Sequence, residues 1–440
     1  MNGYENQEQP MLKIKRYLIP LILLMSISCS AFAFDYDLSI IAGERINSIN
    51  NFWDESQRNY RMDDVYNLLL VYPSIDIEIT EELRAYFELN AAFYWDRETD
   101  EYASEERIEL FEGFFEWNPS LIPGATLKAG KIEFISADGY ILDKDSPGIF
   151  IKYNLAPGFN LPATLKFFWS EIEEESSIFH LQYDHRIAFL ERIGVFWVNF
   201  HDRDNGVGDI LNLIFPVEYH FESSGNWQYA GVELEKFLGR FLFKGTYIYQ
   251  FGNIDLDIQR WPWREEVDLN ISAHLFDLNL SVSIGEKMNI NVFYLFATGD
   301  DLKPLRFYAS QNLNAFFSVA PFIRKTSIFF NGGVDDTFTS DTIAMSGLLM
   351  AGLMVPGVTI SYHPQDNIGL ENTWALLMAQ KERINRGDRY GWETDFIFNW
   401  YFAKNFSFFV EADYMHLENF FINPENDNLW KGIIGLNFYY

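Results

Sequence analysis

Apolar and polar residues alternate with a period of two along most of this chain. The segment LRAYFELNA (residues 83–91) alternates cleanly, and the final LWKGIIGLNFYY (residues 429–440) does so up to its last residue. Successive side chains of an extended strand point to opposite faces, so this period predicts strands with one apolar face each. No sustained helical period is present.

The alternation predicts about 18 strands. Their predicted ranges are 34–46, 65–79, 83–95, 106–117, 126–134, 148–155, 163–170, 177–185, 191–200, 226–236, 241–251, 267–284, 288–297, 346–362, 368–380, 389–402, 406–416 and 430–440. Within 267–284 the alternation shifts by one residue, which predicts a β-bulge near Leu275.

The connections between these strands alternate in length. The tight ones are 80–82, 237–240, 285–287, 364–367 and 403–405, and the longer, mostly acidic ones include 47–64, 201–225, 252–266 and 298–345. An even strand number with this alternation is typical of an all-β, transmembrane antiparallel β-barrel with short periplasmic turns and longer extracellular loops. The last strand should then pair with the first, because lipid tolerates no open sheet edge. A soluble β-sandwich or propeller is the alternative, but its connections need not sort by length, and no propeller repeat is visible.

The start of the chain predicts export. A basic opening from Met11 precedes an apolar run of signal-peptide length, and small residues end at Ala33. We therefore expect residues 1–33 to be a signal peptide, with Met11 as the true start, and residues 34–440 to be the barrel. Cys29, the only cysteine, could alternatively carry a lipid anchor, although Ser26 stands where such motifs have leucine.

The composition indicates where the protein is located in the cell and excludes nucleic acid as a partner. Aromatic residues make up 18% of the chain, while the formal net charge is −30. An exported, aromatic-rich chain without long apolar runs predicts the bacterial outer membrane, with lipid, lipopolysaccharide and the barrel-assembly machinery as partners. The negative charge excludes nucleic acid, whose binding depends on cationic contacts. The tryptophans predicted to lie at the membrane interfaces are Trp95, Trp117, Trp169, Trp374 and Trp430.

Strand parity predicts which charged side chains line the lumen. These are Arg84, Lys131, Lys152, Lys166, Arg186 and Lys244 on predicted strands 3 to 11, and Glu371, Glu393, Asp395, Glu411 and Asp413 on strands 15 to 17. Our hypothesis is that the basic and acidic sets face each other and create a transverse field that orients a polar solute. The alternative is that these side chains simply face water and pair locally.

The sequence gives only weak indications of metal-binding or catalytic sites. The acidic clusters Glu98–Glu101, Glu171–Glu175 and Asp335–Asp336 could hold Ca²⁺ in loops, although such clusters are more often solvated loop tips. No nucleophile and base occur at a recognisable spacing, so we predict neither an enzyme nor a cofactor or metal site beyond such loop-bound ions.

Two stretches resemble the alginate-export family of outer-membrane barrels. The first is LKAGKIEFISADGYILDKDSPGIFIKY (residues 127–153), with Lys131 where the family has arginine. The second is GWETDFIFNWYFAKNFSFFVEADYMHLENFF (residues 391–421), with Glu393 and Asp395 on the inner face. The resemblance implies a monomeric channel for an anionic sugar polymer or a similar solute.

The predicted function is therefore a porin for passive diffusion or export of small polar, saccharide or anionic solutes. The 298–345 loop is predicted to fold inward and narrow the pore, because it carries apolar residues such as Phe316 and Phe329. The alternatives are a plugged structural or adhesion barrel and an outer-membrane enzyme.

Overall fold

The computed structural model describes residues 35–53, 61–95, 107–173, 176–187, 189–203, 206–214, 219–260, 263–301, 312–321, 323, 325–331, 347–383, 386–421 and 428–440. No helix among them is long and apolar enough to cross a lipid bilayer. The predicted signal peptide and the clusters Glu98–Glu101 and Asp335–Asp336 lie outside these residues.

Among the described residues, eighteen antiparallel strands form a closed barrel, as predicted, and a two-residue strand, Asn312–Leu313, pairs in parallel with residues 270–271. The strands are β1 Asp35–Trp53, β2 Arg61–Glu78, β3 Leu83–Trp95, β4 Arg107–Trp117, β5 Ala125–Ser136, β6 Leu142–Asn154, β7 Ala163–Glu173, β8 Ser176–Ile187, β9 Leu190–Asp202, β10 His220–Leu238, β11 Phe241–Arg260, β12 Trp263–Ile284, β13 Met288–Ala297, β14 Leu353–Gln365, β15 Ile368–Met378, β16 Arg389–Ala403, β17 Phe406–Leu417 and β18 Asn428–Tyr439. In the described connections lie two α-helices, α1 Ala156–Phe159 and α2 Gly206–Ile214, and three single-turn 3₁₀ helices, Ala137–Gly139, Phe329–Asn331 and Leu348–Met350. Each strand pairs with its neighbour in the sequence. The central residues of every predicted strand lie in an observed strand.

The first and last strands close the barrel. β1 and β18 pair in continuous register from Ile41 opposite Tyr439 to Asn50 opposite Trp430. The backbone N–H of Tyr440 donates to the carbonyl of Ile40 at 2.9 Å, and the reverse bond measures 3.1 Å. The alternation therefore continues to the final residue because that residue still belongs to the closed sheet.

The outer surface carries large apolar side chains around the barrel. The predicted interface residues Trp117, Trp169, Trp374 and Trp430 are between 43% and 50% exposed in the isolated chain. Ile434 and Leu436 on β18 are similarly exposed, on the same face as Trp430. Apolar side chains on the outside of a closed barrel are the feature that suits it to lipid.

Three neighbouring strands, β10 to β12, are among the longest, and one predicted loop is wrong. β10, β11 and β12 contain 19, 20 and 22 residues. The predicted loop 252–266 is mostly strand, because β11 continues to Arg260 and β12 begins at Trp263. The β7–β8 connection is equally short, from Glu173 to Ser176. The alternation of connection lengths thus holds for most strand pairs but not for all.

The predicted bulge near Leu275 is also wrong. β11 and β12 keep one register over their whole length. Leu269, Ile271 and Leu275 are buried inside the barrel on the same face of β12 as the polar Asp277. Near the short turns the outer face meets lipid, whereas higher up the inner face packs against protein. The apolar pattern therefore changes face without any change in the backbone register.

The protein inside the barrel comes from two connections. The inner loop, here residues 312–331 and 347–352 where described, joins β13 to β14. The hairpin tip, residues 137–141, joins β5 to β6. The N–H groups of Val319 and Ala320 donate to the carbonyl of Ile141 at 2.9 and 3.2 Å, and the Asp143 N–H donates to Ala320 at 2.8 Å. The predicted inward folding of the 298–345 loop is thus seen in its described part.

An apolar core fills the lumen toward the long-loop end. Trp227 and Tyr229 of β10 and Phe316 and Phe317 of the inner loop are each 0% exposed. The lumen near the short turns keeps its charged side chains, described below. The apolar core of this barrel therefore lies inside one half of its lumen.

Candidate pore constriction

The inner loop reaches a group of acidic side chains on β16 and β17. We call Glu393, Asp395, Glu411 and Asp413 the carboxylate cluster. The Glu393 carboxylate accepts hydrogen bonds from the backbone N–H groups of Ile328 and Phe329, the latter at 3.0 Å, and Asp395 accepts one from the Ser327 N–H at 3.2 Å. Buried carboxylates need such partners, and these donors come from the inner loop.

Within the described part of the chain, Lys431 partly balances the charge of the carboxylate cluster. Lys431 on β18 forms ion pairs with Glu411 and with Asp413, the latter at 3.1 Å, and it donates to the Ser327 hydroxyl. Ser327 in turn donates to Glu411 at 2.8 Å. Sequence reasoning did not assign Lys431 a role, although its position between the outward Trp430 and its alternating neighbours placed it on the inner face.

The inner loop is also bonded to two other parts of the barrel wall. Lys325 pairs with Asp277 of β12 at 2.9 Å. On the β10–β11 side, the Phe317 N–H donates to the Gln250 side chain at 2.9 Å, and the Tyr229 hydroxyl donates to the Phe317 carbonyl at 2.9 Å. The inner loop is therefore bonded to three separate parts of the barrel wall: β10–β11, β12 and β16–β18.

Asp300 and Arg383 form hydrogen bonds with the inner loop near the point where the chain leaves β13. The Arg383 guanidinium donates to the carbonyls of Leu349, at 3.0 Å, and Asp300. The Asp300 carboxylate accepts the Asn314 N–H at 2.8 Å. Burial raises the pKa of Asp300 above its ordinary range, and burial lowers the pKa of Arg383. These groups lie in the connections beyond the strands.

Part of the predicted basic set gathers near the short turns. Lys152, Lys166 and Arg186 line a pocket of about 430 Å³ together with Arg192 and Asp184. Lys166 and Arg192 pair with Asp184 at 2.9 and 3.2 Å. Within the described part of the chain, Lys152 and Arg186 form no ion pair. Arg192 was missed because both faces of β9 carry apolar residues, which hides its parity.

The remaining predicted residues lie on other parts of the inner wall. Arg84 pairs with Asp76, and Lys131 pairs with Asp145. Lys244 lines a larger cavity of about 880 Å³ below the hairpin tip and the inner loop.

Glu371, the last predicted pore-lining residue, accepts a hydrogen bond from Ser361 at 2.9 Å. The structure therefore does not set the two predicted groups against each other as free charges. The carboxylate cluster binds the inner loop, and half of the predicted basic residues have acidic partners.

Among the residues that the structure describes, no three His, Cys, Asp or Glu side chains are arranged to hold a metal ion. Of the predicted calcium clusters, only the beginning of Glu171–Glu175 falls within these residues. Loop-bound calcium stays a prediction.

Comparison with known proteins identifies the architecture. No protein-family model and no curated protein matches the sequence. Solved structures do match: the outer-membrane protein OpdK of Pseudomonas aeruginosa shares 10% identity at a TM-score of 0.54, covering 92% of this chain and 98% of that chain. OccK5 (OpdH) and OccK9 (OpdG) of the same organism share 9% and 12% identity, each at a TM-score of 0.53 and the same coverage. The fold is that of a bacterial outer-membrane barrel. At these identities the likeness concerns the fold alone.

Proposed function

We propose that this chain is an outer-membrane channel through which small polar solutes diffuse passively. The observation that carries the proposal is a lumen narrowed by the inner loop and hairpin tip, with a charged cavity of about 880 Å³ beside them and a second one of about 430 Å³ near the short turns. Polar groups around a wet constriction set which solutes pass a barrel of this size. Outer-membrane lipid, lipopolysaccharide and the barrel-assembly machinery remain its predicted partners.

The chemistry of the smaller pocket favours solutes that carry a carboxylate or another anionic group. Lys152 and Arg186 present cationic groups there without acidic partners in the described residues. OpdK, one of the structures similar in fold, was solved with vanillate, which is a carboxylate. A saccharide with acidic substituents would meet the same groups.

Membership in the alginate-export family is the finer form of this proposal. The two stretches that carry the resemblance form the β5–β6 hairpin and the β16–β17 hairpin. Glu393 and Asp395 in the second stretch bind the inner loop, so a polymer would pass only if that loop moved. The narrowed lumen therefore favours small solutes over a polymer.

Planar-bilayer recording of the purified chain tests the channel function. We expect stepwise conductance increments, and swelling of liposomes containing the protein when small polar solutes are added. The absence of both conductance and swelling would refute the proposal.

A plugged structural barrel is the second candidate. The buried contact of Phe316 and Phe317 with Tyr229 favours it, because such a core is not easily displaced. This candidate predicts a folded, detergent-soluble barrel that never conducts.

The enzyme alternative finds little support in the described lumen. Ser327 and Lys431 lie in contact, as a nucleophile and its base would. However, the Lys431 ammonium is engaged by Glu411 and Asp413, so it is poorly placed to accept a proton from Ser327.

A further inference from the structure

The larger cavity contains charges of both signs. We call it the vestibule: it lies below the hairpin tip and the inner loop and has a volume of about 880 Å³. Glu133 on β5 and Lys244 on β11 both line it. β5 and β11 are six strands apart in the barrel, so the two groups stand on different walls.

On the β5–β6 side, the vestibule lining carries more carboxylates than cations: Glu133, Asp138, Asp143 and Asp145 against Lys144. Glu88 on β3 lies opposite Glu112 on β4 in the strand register. The Glu112 carboxylate accepts the backbone N–H of Glu133 at 2.9 Å, which brings Glu112 close to β5. Within the described residues neither Glu112 nor Glu133 has an ion-pair partner. Like charges on adjacent strands repel each other, and a cationic group between them would relieve that repulsion.

On the β11 side, Lys244 is the cation of the described vestibule lining that has no ion-pair partner. Lys244 is exposed, and its cross-strand neighbours are Glu235 and Asn279. It forms no ion pair with Glu235 or with any other residue in the described part of the chain. Lys325, the nearby lysine of the inner loop, is already neutralised by Asp277 at 2.9 Å. An anionic group in the vestibule would therefore be attracted to Lys244.

We propose that the vestibule favours small zwitterions, molecules with one ammonium and one carboxylate group, such as α-amino acids. The ammonium faces Glu133, which lies beside Glu112, and the carboxylate faces Lys244. This inference rests on the proposed channel function and names its solute class. A zwitterion gains from both walls, whereas an anion or a cation gains from one wall and is repelled by the other.

Liposome swelling with two isomeric solutes tests this inference. L-alanine is a zwitterion, and lactamide has the same atoms but no charge. The variants are Glu133→Gln and Lys244→Gln. The matched controls are Glu286→Gln and Lys404→Gln, which change exposed residues of the short turns. We expect L-alanine to enter faster than lactamide, and the ratio of the two rates to fall about fivefold in each vestibule variant but in neither control.

Every other outcome contradicts either this inference or the proposed channel function. Equal rates for both solutes in the native protein would overturn the inference, and so would vestibule variants that swell with an unchanged ratio. If liposomes containing the native protein swell with neither solute, the channel function fails instead. Heat-modified mobility on gels confirms that each variant is a folded barrel before its rates are compared.

Discussion

The carboxylate of Glu393 on β16 accepts a hydrogen bond from the backbone N–H of Phe329 at 3.0 Å. Both residues are 0% exposed, and 64 positions separate them in the sequence. A wall side chain thus binds the backbone of the inner loop and fixes its place in the lumen.

Replacing Glu393 with Gln should loosen the inner loop. The amide oxygen of glutamine can accept only some of the hydrogen bonds that the two carboxylate oxygens accept. The amide NH₂ group would face a backbone N–H. We expect the loop attachment to weaken by about 1–3 kcal/mol, as for other lost buried hydrogen bonds. Limited tryptic cleavage after Lys325 should become faster, and channel currents should become noisier. Glu371→Gln is the matched control, because Glu371 contacts Ser361 and not the loop. Equal cleavage rates in both variants would contradict the role assigned to Glu393.

Replacing Lys431 with Met should destabilise the barrel near its closing strand. The change leaves Glu411 and Asp413 without their cation, and breaking a buried ion pair on one side costs about 3–5 kcal/mol. The temperature of the heat-modified gel shift should fall. Adding Glu411→Gln and Asp413→Asn to the same protein removes the unpaired charges and should restore much of the loss. A triple variant as unstable as Lys431→Met alone would argue that packing, not charge, explains the effect.

Neutralising Lys152 and Arg186 together should shift ion selectivity toward cations. Both side chains line the smaller pocket without acidic partners in the described residues, so their charge acts on passing ions. The reversal potential in a salt gradient measures the change. Lys166→Gln gives an internal comparison, because Lys166 is paired with Asp184 at 2.9 Å and should shift selectivity less. An equal shift in both proteins would mean that the pairing does not screen the charge.

The long-loop end should gain stability as the pH falls. Burial raises the folded-state pKa of Asp300 above its unfolded value of 3.8. A raised pKa means that the folded state binds the proton more tightly. Its stabilising contribution is complete below the unfolded value and is lost as the pH rises through the folded value. Hydrogen exchange at Asn314, whose N–H bonds to Asp300, should therefore slow on acidification after correction for intrinsic rates. Asp300→Asn should remove this dependence, and a native protein without it would count against the burial argument.

The barrel could be predicted from the sequence because its two solvents impose the pattern locally. Lipid outside and water inside require alternating side chains on every strand, and each strand carries that signal by itself. The closure at Tyr440 followed from the same rule. So did the inner placement of Lys152, Lys166 and Arg186, which parity alone assigns.

The tertiary structure decided everything that depends on which strands face each other across the lumen. Near Leu275 the polar and apolar faces exchange because the inner loop, and not water, lies against that part of β12. The alternation predicts that Glu393 and Asp395 line the lumen as charged groups. Their hydrogen-bond partners, however, are backbone N–H groups about 65 residues away. Period-two alternation records only which face a side chain takes. It holds no information about what a distant loop brings to that face, and only the folded chain supplies that contact.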